Sequence, residues 1–377
     1  MKVFVSLSLA AIGLTVPATY GHLSSDADKE ARDLRELVEK SHSENPTGGL
    51  GYDWFDCLER FQTEADNAAN KVVCHTWTAQ GVTSTLFALK FGNDRVPVVE
   101  SHLEGASDNQ RVIIDVQGGP GGLPFYSNPV MTDEYVERIR RNGMLELVGG
   151  SMEELPQYQI MKRGFTIASI GYWGMNIRTL YEPNEIELAI RDVKLATDYY
   201  RAQEGGDPPM ITTSLGNHLA LGALGQERLQ ELNFLSLVPV MDGLQDHISR
   251  KKDEKSAADA KGERFGSWYA FNVYKRSGDD VVFEYSRGLP FFDFVTQFIG
   301  DHDLPWGVVT PKSVCSKIVL GSKDPRTTEY LAANEDLPRY LSVWDSDHEL
   351  FKDALPQSQA LFADYADCLI EDGGLTA

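Results

Sequence analysis

Three side chains in the second half of the chain have the types and the order that nucleophilic acyl transfer requires. Ser214 lies in Thr212-Thr213-Ser214-Leu215-Gly216, after the short run Met210 to Thr213 and before a segment that reads as a helix from about Asn217. A serine lifted out of a sheet on a sharp strand-to-helix turn needs small neighbours, which is the physics of the G-x-S-x-G pattern. Gly216 meets that need. Thr212 stands where a glycine is usual, though a threonine is still fairly small. The plainer role for such a serine is to cap the next helix. Asp324, in Gly321-Ser322-Lys323-Asp324-Pro325, follows the apolar run Ile318 to Leu320. An acid on a turn at a strand's C-terminal end projects toward a site at that edge. Asp before Pro is also an ordinary turn residue, and Asp242, after Phe234 to Val240, is a rival acid. The chain order nucleophile, acid, base favours Asp324. His348, between the run Arg339 to Val343 and the last helix, is the only histidine after the acid. The three therefore read as nucleophile, orienting acid and general base.

Such chemistry also needs donors for a developing oxyanion. Gln117-Gly118-Gly119-Pro120-Gly121-Gly122 follows the buried run Val112 to Val116. Glycines let backbone N–H groups approach a negative charge unhindered. The N–H groups of Gly119 and Leu215 are the expected donors. Gln117, Gly118, Trp173 and Arg178 are the expected substrate contacts, although Trp173 reads equally as core and Arg178 as the partner of a surface acid. A phosphate loop would carry a Lys-Ser/Thr ending and run straight into a helix, and neither is present. A plain glycine turn is the other reading. His218, one helical turn after Ser214, is expected to pack beneath the turn, and His302, between Asp301 and Asp303, to be solvated. No cysteine or histidine spacing resembles a metal site, and the expected chemistry uses no cofactor.

The elements that position these residues alternate. Strands are expected at Val72 to Trp77, Ser84 to Leu89 and Val96 to Val99, where β-branched and aromatic residues cluster. Buried strands follow at Val112 to Val116, Phe165 to Ile170, Met210 to Thr213, Phe234 to Val240, Ser316 to Leu320 and Arg339 to Val343. Helices lie between them. Ile186, Ala189, Ile190, Val193 and Ala196 mark one face of a helix from about Glu185 to Gln203, and a final helix spans about Gln359 to Glu371. This alternation predicts an α/β protein with a doubly wound, mostly parallel sheet. Residues 243–305 break it with the charged run Arg250 to Lys255 and then many aromatics, and read as an inserted cap. The expected division is 1–18 signal peptide, 19–69 N-terminal extension, 70–242 with 306–377 core, and 243–305 cap.

Lys2 and the apolar run Val3 to Val16, with small residues around Ala18, predict export rather than a membrane span, so a secreted or periplasmic protein without a membrane anchor is expected. An uncleaved N-terminal anchor is the alternative. Four cysteines in an exported chain suggest disulfides, with Cys57–Cys74 and Cys315–Cys368 preferred and buried thiols the alternative. The 377 residues carry 35 basic and 56 acidic side chains, a formal net charge of -21. That balance repels nucleic acid and anionic surfaces. A hydrophobic content of 42% excludes wholesale disorder.

The core, about Val112 to Ile170, Met210 to Val240 and Ser316 to Leu350, resembles the α/β-hydrolase superfamily. Gln117 to Gly122 resembles the His-Gly-Gly-Pro-Gly-Gly loop of its proline iminopeptidase branch. Gln117 in place of the histidine and Thr212 in place of the glycine leave the branch open. The resemblance implies a serine hydrolase acting on a small molecule or a short peptide, with an apolar or aromatic substrate suggested by the aromatic cap. Three functions follow from it: hydrolysis of a carboxylic ester or lactone, an exopeptidase whose cap carboxylates (Glu254, Glu263, Asp279, Asp280 and Glu284) hold a free amine, or a binding protein without turnover. Nothing in the sequence sets the oligomeric state.

Overall fold

Runs of aliphatic residues with few charges become strands wherever both of their faces can be covered. In the computed structural model, described for residues 71–91, 94–106, 111–118, 153, 155–172, 185–241, 243–262, 268–277, 280–304, 309–334, 336–348 and 354–372, nine such strands form one sheet. They are β1 (Lys71–Ala79), β2 (Val82–Phe91), β3 (Asp94–Leu103), β4 (Val112–Val116), β5 (Thr166–Ile170), β6 (Met210–Thr213), β7 (Phe234–Leu237), β10 (Lys317–Gly321) and β11 (Leu341–Trp344). Their order across the sheet is β1-β2-β3-β5-β4-β6-β7-β10-β11. The pairs β1/β2, β2/β3 and β3/β5 are antiparallel, and every later pair is parallel. An antiparallel flank leading into a parallel sheet with helices on both faces is the α/β-hydrolase fold.

Alternate residues of the central strands feed two cores, as the two-residue period of a strand requires. Ile114, Ala168 and Met210 join the cluster beneath α2 (Ile186–Glu204) and α3 (Leu215–Glu231). Their neighbours Ile113, Ile167 and Ile211 join a second cluster beneath α1 (Pro156–Met161) and α7 (Leu355–Asp372). Cys315, just before β10, is disulfide-bonded to Cys368 of α7, with a Cα–Cα distance of 5.6 Å. The other expected pair involves Cys57, which lies outside the described residues, as do the signal segment and the N-terminal extension. Among the described residues no helix is long and apolar enough to cross a membrane.

Among the described residues, the segment between β7 and β10 adds no strand to this sheet. It forms α4 (Leu244–Ala260), a separate antiparallel pair of β8 (Trp268–Ser277) and β9 (Asp280–Pro290), and α5 (Phe291–Ile299). Leu244 and Ile248 of α4 and Phe298 and Ile299 of α5 are buried in the same cluster as α2 and α3, so both ends of the segment belong to the main core. The charged run Arg250 to Lys255 lies on α4. A short α6 (Thr328–Ala333) connects β10 toward β11.

Several expected boundaries differ, and three lie on the strands and helix of the C-terminal half. The strand expected through Val240 stops at Leu237: Val238 still donates its N–H to Val319 O of β10 at 2.8 Å, and its φ of 40° then turns the chain out of the ladder. The last strand begins at Leu341 rather than Arg339. The last helix begins at Leu355 rather than Gln359.

Candidate active site

Ser214 sits at the junction of β6 and α3 with φ 50° and ψ −120°. A non-glycine residue there costs on the order of 1–3 kcal/mol, so its surroundings must hold it. Ser214 N donates to Leu237 O of the neighbouring strand at 2.9 Å. Asn217, fully buried, donates through Nδ2 to Ser214 O at 2.8 Å and to Leu237 O at 3.3 Å. Its Oδ1 accepts the Thr212 and Ser236 hydroxyls, each at 2.5 Å. The threonine that stands in place of glycine is therefore a working part of the turn: its hydroxyl fixes the side chain that fixes the serine. Asn217 escaped the sequence reading, although an amide three residues after the serine was a visible signal.

Two glycines permit the close approach of the preceding loop. A Cβ on Gly118 would meet Ser214 Cβ at 2.6 Å and Thr213 O at 2.7 Å, and one on Gly216 would overlap Val116 O. The start of that loop is held from beneath. Tyr172 Oη donates to Gln117 O at 2.9 Å, and Gln117 Nε2 donates to Asp115 Oδ1 at 2.6 Å. Asp115 is fully buried and also accepts Ser169 Oγ at 3.3 Å. The Gln117 amide, expected at the substrate, is thus engaged with the sheet. Leu215 N–H opens α3, where no intrahelical acceptor exists. Gly119, Trp173 and Arg178 lie outside the described residues, as does the rival acid Asp242.

The structure brings the three expected side chains together. His348 Nε2 lies 2.8 Å from Ser214 Oγ, and His348 Nδ1 lies 2.6 Å from Asp324 Oδ2. Asp324 is fully buried, whereas the His348 side chain keeps 24% of its exposure and stays reachable. Burial alone would raise the Asp324 pKa. The hydrogen bond and charge of His348, with the charge and N–H of Arg326, outweigh it and bring the carboxyl to about 2. Burial lowers the His348 pKa and Arg326 lowers it further, against the opposing pull of Asp324 and Asp347. A neutral imidazole beside an ionised carboxylate can take a proton from the serine. The acid turn is closed by Thr327, whose hydroxyl donates to Gly321 O at 2.6 Å.

Other histidines are placed as follows. His218 is fully buried, with Nδ1 2.9 Å from Leu304 O and Nε2 3.1 Å from Val240 O. It ties α3 to two loops. Its pKa falls to about 4, chiefly through burial. His302, expected to be solvated, is half-buried, and its Nε2 is shut away from water without a hydrogen-bond partner among the described residues. Its backbone O accepts Gln245 Nε2 at 2.8 Å. His247 of α4, which the sequence reading passed over, is held to a pKa of about 3 by burial and then by the charges of Arg326, Lys251, Arg250 and His348. Among the described residues no group of three or more His, Cys, Asp or Glu side chains is arranged to hold a metal.

The fold and the site together define an α/β-hydrolase fold with a Ser-His-Asp constellation at the C-terminal edge of its parallel strands. The chain matches no family model and no curated protein. Among solved structures it is similar to an arylesterase, at 14% identity and a TM-score of 0.42, over 76% of this chain and 85% of that one. It is similar also to a serine hydrolase without a lid from Xanthomonas campestris, at 12% identity and a TM-score of 0.38, over 78% and 96%. A third is oligopeptidase B from Leishmania major, at 13% identity and a TM-score of 0.40, over 81% and 38%. Likeness at this level says nothing about activity, which rests on the site.

Proposed function

We propose that the chain is an exported serine hydrolase that cleaves a carboxylic ester or lactone through an acyl-enzyme. The observation that carries this reading is the continuous hydrogen-bonded line from Ser214 through His348 to Asp324. Ser214 Oγ attacks the substrate carbonyl carbon while His348 Nε2 takes its proton. The carbonyl oxygen becomes an oxyanion facing Leu215 N–H and the expected Gly119 N–H. The bond to the leaving alkoxide breaks as His348 returns the proton to it; in a lactone that alcohol stays tethered to the acyl group. Water, deprotonated by His348, then cleaves the Ser214 ester and frees the acid. Asp324 keeps the imidazole in one tautomer and balances its charge. No step requires a metal or cofactor. Export rests on the apolar N-terminal run, and an apolar or aromatic substrate rests on the aromatic residues between β7 and β10.

The rival reading is an exopeptidase, which must hold a substrate ammonium. The test is fluorophosphonate labelling of the signal-free chain, with mass spectrometry to locate the adduct, followed by panels of p-nitrophenyl esters and aminoacyl anilides. An adduct on Ser214 that is lost in Ser214→Ala and His348→Ala, with ester turnover, is the expected result. Turnover confined to anilides with a free N-terminus would move the activity to the exopeptidase class. Absence of any adduct would leave a binding protein on a hydrolase scaffold.

A further inference from the structure

Asp324 has two carboxylate oxygens, and the triad uses one of them. The other, Oδ1, accepts the backbone N–H of Arg326 at 3.0 Å and its guanidinium Nη1 at 3.2 Å. The carboxylate is fully buried, and the Arg326 side chain keeps 28% of its exposure. A guanidinium is never deprotonated in a protein, so one permanent positive charge stands behind the acid, on the far side from the base. Resting on the triad assignment above, we propose that Arg326 is a positioning residue that fixes the Asp324 carboxylate and sets the pH at which His348 becomes a competent base.

The sign follows from the charges that face His348. Asp324 from the turn after β10 and Asp347 from its own loop favour the imidazolium. Arg326 opposes it. His247 approaches from α4, and since its own pKa is held to about 3 it is neutral in the working range and adds no charge. Ser214 contributes an uncharged hydroxyl. Burial favours the neutral ring as well. The base must be neutral to act, so kcat/KM falls as pH drops through the His348 pKa. Arg326 pushes that fall to lower pH and keeps the enzyme working in mildly acidic surroundings. The same charge makes the imidazolium of the transition state harder to form, so Arg326 exchanges some maximal rate for range.

The test compares the intact enzyme with Arg326→Gln and Arg326→Lys. The readouts are the pH profile of kcat/KM on an ester and the pH dependence of Ser214 labelling by a fluorophosphonate. Removing the charge in Arg326→Gln is expected to raise the acid limb by on the order of one pH unit. Arg326→Lys, which keeps the charge but lacks the planar fork, is expected to hold the limb close to its original place while lowering kcat. An acid limb unmoved in Arg326→Gln, or moved equally in both variants, would overturn the proposal. Should Arg326→Gln fail to fold, Arg326→Met, which keeps an apolar stem without the charge, replaces it and is read in the same two ways. The two readings fail separately: an unmodified enzyme that does not label at Ser214 removes the triad, whereas one that labels with an insensitive limb removes only Arg326.

Discussion

Asn217→Ala is the perturbation that most directly tests how the nucleophile is held. Its Oδ1 is the acceptor for two buried hydroxyls, Thr212 Oγ1 and Ser236 Oγ. Both residues are buried to within 1% of full. The two carbonyls that Nδ2 serves keep other donors, since Ser214 O still accepts Asn217 N and Leu237 O still accepts Ser214 N. The loss is therefore concentrated in the two stranded hydroxyls. A buried polar group left unpaired costs about 1–3 kcal/mol, and water admitted to the small space relieves part of it, so the variant is expected to lose about 2–4 kcal/mol in urea unfolding. The side-chain bracing of the strained Ser214 turn is lost at the same time, and a misplaced nucleophile slows fluorophosphonate labelling by about 10–100-fold. Thr212→Gly, which restores the more usual pentapeptide, makes the contrary-looking comparison. It removes one hydrogen bond and adds backbone freedom, so it is expected to destabilise by about 2 kcal/mol rather than to stabilise. An Asn217→Ala protein within about 0.5 kcal/mol of the unmodified chain, the scale of an inconsequential surface change, and with normal labelling would refute this account.

Two further outcomes follow from the packing. Gly118→Ala drives a methyl group against Ser214 Cβ and Thr213 O, so the loop must retreat, and ester turnover is expected to fall at least about 100-fold, the effect of one lost oxyanion donor, while circular dichroism stays unchanged; full activity would exclude the loop from the oxyanion site. Replacing Cys315 and Cys368 by serine opens a bridge spanning a sequence separation of 53 residues, and chain entropy sets the loss at up to about 4 kcal/mol, to be read as a lower denaturation midpoint with unaltered labelling in the folded protein.

The sheet was legible because its central strands are apolar on both faces, which leaves little alternative to a parallel, doubly covered arrangement. The three chemical residues were legible because each sits on a strand end in an order that few other arrangements produce. Strand ends were less so. Val238-Pro239-Val240 continues the apolar run of β7, and only the positive φ at Val238, reached just after its last bond to β10, takes the chain out of the ladder. Composition carries no record of that backbone turn. The same holds for His302, whose neighbours Asp301 and Asp303 suggest solvent, while its backbone carbonyl is held by Gln245 and its Nε2 is shut away from water.

The two departures from the usual motifs make the deeper point. Thr212 and Gln117 look like defects when each position is judged alone. In the structure each is half of a pair: Thr212 with Asn217, and Gln117 with Asp115. A glycine at 212 would leave Asn217 one donor short, and Gln117 supplies the N–H donor that the buried Asp115 carboxylate needs. Arg326 belongs to the same class, since its side chain is unremarkable on a turn until Asp324 is seen to have an oxygen to spare. A chain that departs from a motif at one position can meet the same physical need from another element and keep the geometry that the motif provides. The correct question at a departure is therefore which new partner the altered side chain has found.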